Sequence, residues 1–178
     1  MSKELILGGA RSGKSALAER RAAESGFEVV YVATATADDA EMEARIAHHR
    51  ARRQSHWRTV AEPVRLAAAL RAEASPRRCL IVDCLTLWLT NLLLGPGLDP
   101  ERQDLLRALD DVPGRVILVS NEVGCGVVPG NELARRFADE QGRLNQAVAA
   151  VCQRVTLVAA GLPLELKHDR AGGVPLGS

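Results

Sequence analysis

Glu4-Leu5-Ile6-Leu7-Gly8-Gly9-Ala10-Arg11-Ser12-Gly13-Lys14-Ser15, followed by ALAERRAAES over residues 16–25, is the stretch that decides the fold. Leu5 to Leu7 reads as a short buried strand, and Ser15 to Ser25 carries apolar residues at the three- and four-residue intervals of an amphipathic helix. Between them Gly8 to Ser15 fits G-x-x-x-x-G-K-[ST], a phosphate loop at the strand-to-helix junction that such a loop requires. Its glycines let the backbone turn so that successive N–H groups face phosphate oxygens, and the helix after it offers its positive N-terminus to the same charge. Lys14 is then expected to reach the β- and γ-phosphates of a nucleoside triphosphate, and the Ser15 hydroxyl to ligate Mg²⁺.

Outward from this loop the same alternation recurs. Val29 to Ala33, Cys79 to Val82 and Val116 to Ser120 are apolar runs, each followed by Thr, Asp or Asn and then a helical pattern. That is the rhythm of a parallel sheet flanked by helices. Val155 to Ala160 is followed by Gly161-Leu162-Pro163 and the short run Leu164 to Leu166, which predicts an antiparallel hairpin at one edge and about six strands in all. Helices are expected over Asp39–Arg53, Pro63–Ala74, Thr86–Leu94, Pro100–Leu109 and Glu132–Cys152, on both faces of the sheet. One α/β domain over residues 1–167 accounts for the chain, with 168–178 a loose tail.

Composition narrows the class. With 178 residues, 47% apolar and 25% charged, the chain has ordinary globular proportions, and its 3% aromatic content makes the core mostly aliphatic. A formal net charge of +1 provides no long-range field toward nucleic acid or an anionic membrane, so a cationic site must be a local patch. Cys79, Cys84, Cys125 and Cys152 form no CxxC pair and no metal-ligand spacing, which is expected of reduced thiols in a cytoplasmic protein. The longest apolar run, Cys84 to Leu94, is too short for a membrane span and reads as a buried helix.

A phosphate loop needs an acid at a neighbouring strand end to hold its metal. Asp83, after Leu80-Ile81-Val82, is the expected ligand, although a carboxylate there can instead cap the next helix; Glu122 is a second candidate. The segment DAEMEARIAHHRARR over 39–53 places acids in its first turns and bases in its last, as the helix dipole favours. At four-residue spacing Arg45, His49 and Arg53 form one stripe, with His48 rotated about 100° away. Flanking guanidiniums disfavour imidazolium and attract polyphosphate, which suits a nucleophile attacking phosphorus. From spacing alone, two surface histidines on a basic helix end is the better reading of the pair.

Five ordered segments carry a resemblance: GGARSGKS; YVATAT; Glu41-Met42…Arg45-Ile46…His49…Arg53…Trp57-Arg58-Thr59…Glu62; IVDCLTLWLTNLL; and SNEVGCGVVPGNELARRFADEQGRLNQ. Together they resemble the bifunctional adenosylcobinamide kinase/adenosylcobinamide-phosphate guanylyltransferases of cobalamin biosynthesis, up to about Lys167. The resemblance implies a RecA-like P-loop α/β fold assembled as a homotrimer. It implies phosphorylation of the aminopropanol hydroxyl of adenosylcobinamide with ATP or GTP, then transfer of GMP from GTP through a guanylylated histidine to give adenosylcobinamide-GDP. The covalent histidine falls on His49, with Arg45 and Arg53 at the flanking positions and His48 at a variable one. Nucleotide contacts fall on Gly8, Gly9, Ala10, Arg11, Ser12, Gly13, Lys14 and Ser15, on Thr34, Ala35 and Thr36, on Arg50, Ala51, Arg52 and Arg53, and on Glu62 and Asp83. Gln54 stands where the pattern usually has Pro. A monofunctional P-loop kinase for another small alcohol, and a nucleotide-binding module without chemistry, are the competing readings.

Overall fold

Along the central strands successive side chains alternate between two apolar faces. Leu5, Leu7, Val30, Val32, Leu80, Val82, Val116 and Leu118 enter one core cluster, while Ile6, Val29, Tyr31, Cys79, Ile81, Ile117 and Val119 enter the other. Near-continuous aliphatic runs are what a sheet covered on both sides requires, and each fully buried aliphatic side chain contributes about 1.5–3 kcal/mol. The computed structural model describes residues 2–36, 54–95 and 97–168.

The strands are β1 (Ser2–Gly8), β2 (Glu28–Ala33), β3 (Arg58–Ala61), β4 (Arg78–Asp83), β5 (Arg115–Asn121), β6 (Arg154–Ala159) and β7 (Leu162–His168). They form one seven-stranded sheet in the order β3-β2-β4-β5-β1-β6-β7. Every pairing is parallel except the antiparallel β6 and β7 at the edge. The mostly parallel sheet and its edge hairpin match the expected architecture. The strand count does not: β3, reading RTVA with a largely exposed burial pattern, is an edge strand without the apolar run that marks its neighbours. His168, expected to open the tail, is instead the last residue of β7 and pairs with Arg154.

The helices are α1 (Lys14–Ala23), α2 (Leu66–Glu73), α3 (Leu85–Leu94), α4 (Asp99–Asp111) and α5 (Glu132–Val151). Leu17, Ala18 and Ala22 of α1 pack on one face of the sheet. The other face takes Leu66 and Leu70 of α2, Trp88 and Leu92 of α3, Leu105 of α4 and Leu144 of α5. The expected helix over 39–53 and the tail over 169–178 lie outside the described residues. Among the described residues no helix is long and apolar enough to cross a membrane.

Two connections hold the loops at the strand ends. Helix α3 ties together the loops after β2 and β3: Asn91 Nδ2 donates to the Thr34 and Pro63 carbonyls at 2.9 and 3.0 Å, and Trp88 Nε1 donates to the Val64 carbonyl at 2.7 Å. At the other edge, the β6–β7 turn carries Ala160 and Gly161 at φ 52° and 79°, the left-handed pair of a tight hairpin. The Gly161 N–H donates to the Ser12 carbonyl at 2.9 Å, so the terminal hairpin braces the loop after β1.

Candidate active site

The C-terminal ends of β1, β5 and β4 lie side by side, in that order, and open the crevice where α/β sheets bind ligands. At the end of β1 the chain turns through Gly8–Ser15. A side chain at Gly8 would place its Cβ 2.4 Å from Ser12 Oγ and 2.5 Å from the Val158 carbonyl, so only glycine lets β6 and the loop close on β1. Gly13 at φ 99° enters α1 from a left-handed conformation that a side chain would oppose. Arg11 also has a positive φ of 57°, strain of about 1 kcal/mol or more held inside the loop.

This backbone folds inward on Lys14. Its side chain is buried and its Nζ donates to the Gly9 carbonyl at 3.1 Å. Burial pulls the Lys14 pKa below the ordinary lysine value, while the charge of Asp83 and the neighbouring Cys84 thiol oppose that shift. Ser12 is buried, and among the described residues its Oγ has no hydrogen-bond partner. Ser15, in the first turn of α1, is half-buried, while Gly9, Ala10 and Arg11 are exposed. A buried cation and an unsatisfied hydroxyl beneath an exposed loop backbone can receive an anion.

Asp83 closes β4, with β5 standing between it and the phosphate loop. Its Oδ2 accepts the Tyr31 hydroxyl at 2.6 Å. The alternative of a helix cap falls to its neighbour: Cys84 is the N-cap of α3, its Sγ accepting the Leu87 N–H at 3.5 Å. Burial first, and the Asp83 charge second, push the Cys84 thiol up to about 11, so it stands as a protonated cap. Thr34 is fully buried and exchanges hydrogen bonds with the Cys84 backbone, donating to its carbonyl at 2.7 Å and accepting its N–H at 2.8 Å. The Thr34 hydroxyl is thereby committed within the protein, while Ala35 and Thr36 after it are half-buried.

Glu62 follows β3 on the far side of the sheet order. Its Oε1 accepts the N–H groups of Val64 and Arg65 at 3.0 and 2.8 Å, so one carboxylate oxygen shapes the turn into α2. The crevice therefore gathers Gly8 to Ser15 and Asp83, with Thr34 to Thr36 next to Asp83 and Glu62 one strand further out. His48, His49, Arg45 and Arg50 to Arg53 lie outside the described residues. Three positioning residues are assigned no role from the sequence: Tyr31 on Asp83, Asn91 across two loops, and Gly161 on Ser12. A lone tyrosine in an otherwise aliphatic strand is the one available signal. The others depend on contacts between distant segments.

The sheet order and the phosphate loop define a P-loop nucleotide-binding protein. Solved structures share the fold: flagellar accessory protein FlaH from Methanocaldococcus jannaschii is 14% identical with a TM-score of 0.55, covering 97% of this chain and 81% of that one. The RadB recombinase is 18% identical with a TM-score of 0.53, covering 88% and 73%. Sequence comparison is more specific. The family model for cobinamide kinase / cobinamide phosphate guanyltransferase matches residues 4–166, and the chain belongs to that family. The bifunctional adenosylcobalamin biosynthesis protein CobP of Pseudomonas aeruginosa is 64% identical over 170 residues, 94% of this chain and 98% of its own length. The corresponding CobU protein of Salmonella typhimurium is 42% identical over 179 residues, covering 92% and 98%.

Proposed function

We propose that this protein phosphorylates the aminopropanol hydroxyl of adenosylcobinamide using ATP or GTP, then transfers GMP from GTP to the resulting phosphate, giving adenosylcobinamide-GDP. The observation that carries the first half is Lys14, buried at the turn of a phosphate loop with the Asp83 carboxylate across one intervening strand. As negative charge moves onto the oxygens leaving the γ-phosphorus, a cation already stripped of water stabilises it without reorganisation. Family membership over 4–166 supports both halves and the corrinoid alcohol as acceptor.

Ser15 and Asp83 would hold Mg²⁺, which supplies charge neutralisation at the β- and γ-phosphates. The donor set suits it. Among the described residues no cluster of three His, Cys, Asp or Glu side chains could hold a metal alone. Mg²⁺ at a phosphate loop takes one carboxylate, one hydroxyl, phosphate oxygens and water. With Cys84 capping α3, the Asp83 carboxylate is not needed there. The second oxygen of Glu62 leaves an acceptor for guanine N–H groups. The exposed Val127 and Val128, after Gly124-Cys125-Gly126, offer an apolar wall for a bulky corrinoid.

For the second half, the His49 imidazole displaces pyrophosphate from the α-phosphorus of GTP, forming a phosphoramidate whose GMP then passes to the substrate phosphate. Arg45 and Arg53 neutralise the α-phosphate and keep the ring unprotonated, with Arg50 to Arg53 contacting the nucleotide. We assign residues 1–168 to one catalytic domain, the assembly to a homotrimer and the location to the cytoplasm. Incubation with labelled GTP, with and without adenosylcobinamide phosphate, tests the scheme. His49→Ala is expected to lose protein-bound GMP while still phosphorylating adenosylcobinamide, and His48→Ala to keep both reactions. GMP found on His48, or adenosylcobinamide-GDP formed at the normal rate by His49→Ala, would overturn the assignment.

A further inference from the structure

We infer that Glu122 is the general base of the kinase half-reaction, accepting the proton of the substrate hydroxyl as its oxygen attacks the γ-phosphate. The inference rests on the proposed kinase activity. Among the described residues three carboxylates stand at or just past the C-terminal ends of parallel strands: Glu62, Asp83 and Glu122. Glu62 follows the edge strand and supports a turn, and Asp83 is engaged by Tyr31. Glu122 follows β5, the strand between the phosphate loop and Asp83, so it emerges between Lys14 and the acid expected to hold the metal. Its own N–H donates to the Gly8 carbonyl at 3.2 Å, which seats it directly against the start of the phosphate loop.

The support given to this strand end exceeds what a simple turn needs. The Asn121 N–H donates to Thr86 Oγ1 of α3 at 2.8 Å, and the Asn121 carbonyl accepts Asn145 Nδ2 of α5 at 3.0 Å. Asn145 Oδ1 in turn accepts from Ser120 Oγ at 2.7 Å and Gln141 Nε2 at 3.0 Å. Ser120, Gln141, Asn145 and Thr86 are all buried, and these hydrogen bonds offset part of the cost of burying them, with Gln141 Oε1 left without a partner among the described residues. Three elements thus commit buried polar atoms to fixing the backbone beneath Glu122, while its carboxylate stays half-exposed at the crevice. Oε1 accepts the Gly124 N–H at 2.6 Å, which orients the group; no hydrogen bond to Oε2 occurs among the described residues. A base must be held in place yet keep an oxygen able to take a proton.

The step balances without further reagents. The alcohol oxygen forms a bond to the γ-phosphorus, the bond from that phosphorus to the β–γ bridging oxygen breaks, and its electron pair leaves with the nucleoside diphosphate. The hydroxyl proton passes to Glu122 and then to solvent. Glu122→Gln in the full chain keeps the Gly124 contact and removes the basicity. With adenosylcobinamide and ATP or GTP, its kinase kcat is expected to fall about 10²–10³-fold. The KM for nucleotide should stay within about threefold, and the acid limb of the kcat–pH profile should disappear. GMP transfer to adenosylcobinamide phosphate supplied directly should continue. Glu122→Asp, which retracts the carboxylate but keeps it, should give an intermediate kcat with the acid limb retained, and it serves if the glutamine variant does not fold. A Glu122→Gln kinase within about fivefold of wild type, parallel loss of both reactions, or recovery of the kinase at raised Mg²⁺ would each overturn the inference. Absence of kinase activity in the wild type would overturn the kinase reading itself, which separates the two failures.

Discussion

Lys3 and Lys14 are buried to nearly the same degree, 4% and 9% exposed, near the beginning and just beyond the end of the same strand. Burial lowers the pKa of both, and each donates to a backbone carbonyl: Lys3 to Val112 at 2.7 Å, Lys14 to Gly9 at 3.1 Å. What differs is the company. Around Lys3 the protein completes its own polar contacts: its N–H meets Gln153 Oε1, its carbonyl accepts the Gln153 N–H, and the adjoining Glu4 is paired with both Arg21 and Arg115. The Arg115 Nε is the one buried atom there without a partner among the described residues, and that guanidinium already reaches Glu4 through a terminal nitrogen. Around Lys14 the loop backbone is exposed, the Ser12 hydroxyl is unpaired among the described residues, and Asp83, whose charge acts on Lys14, lies across an intervening strand. Burial of charge is therefore not what marks a site. What sets the Lys14 end apart is an unpaired hydroxyl beside the charge beneath an exposed loop backbone.

The two lysines should differ most in what their removal costs. Lys14→Ala should reduce phosphoryl transfer at least 10²–10³-fold, about 3–4 kcal/mol of transition-state stabilisation, with little change in thermal midpoint. Lys3→Ala should do the reverse, lowering the midpoint and sparing kcat. Steady-state kinetics and calorimetry on the two variants decide it; activity lost with Lys3 and kept without Lys14 would invert the assignment of the two ends.

Next in size is Glu4, 2% exposed between two arginines. Glu4→Gln removes the countercharge of Arg115 and one of the two on Arg21, which keeps Glu165, and should cost about 2 kcal/mol of unfolding free energy, read from the urea midpoint. Kinase turnover should be unchanged. A midpoint within experimental error of wild type would mean that this end is not held by its ion pairs.

Asp83→Asn sharpens the comparison from the other side. It keeps the Tyr31 hydrogen bond in outline and removes charge, so activity should fall about 10-fold or more and partly recover as Mg²⁺ is raised. Wild-type metal dependence in this variant would direct attention to Glu122 as the ligand.

The smallest effect concerns thiols. Burial holds the Cys79 and Cys84 thiols up at about 11 and Cys152 at about 12, whereas Cys125 is exposed. In the native protein one of the four thiols should react with an alkylating reagent, and all four after denaturation. Because the unfolded thiols ionise near 9.0 and the folded ones hold their protons, this contribution to stability is complete below about pH 9 and is lost as pH rises toward 11–12. The urea midpoint should decline over that window, and a flat profile would contradict the burial of these groups.

The sequence by itself determined the fold class and the phosphate loop. Strand, loop and helix succeed one another within residues 2–23, and the aliphatic runs of β2, β4 and β5 announce strands buried on both faces. Such features depend on periodicity and on residues close in the chain. Edge strand β3 escaped because four residues facing largely outward need no apolar run. The tertiary structure alone decided that β5 lies between β1 and β4, that Cys84 and not Asp83 caps α3, and that Tyr31 meets Asp83 across 52 positions of sequence. It also brought the Gly161 turn onto Ser12 and the Thr86 and Asn145 side chains onto the backbone before Glu122. Strand order and register are fixed by the joint packing of all the helices and strands, so the neighbours of a strand-end carboxylate cannot be read from the few residues around it.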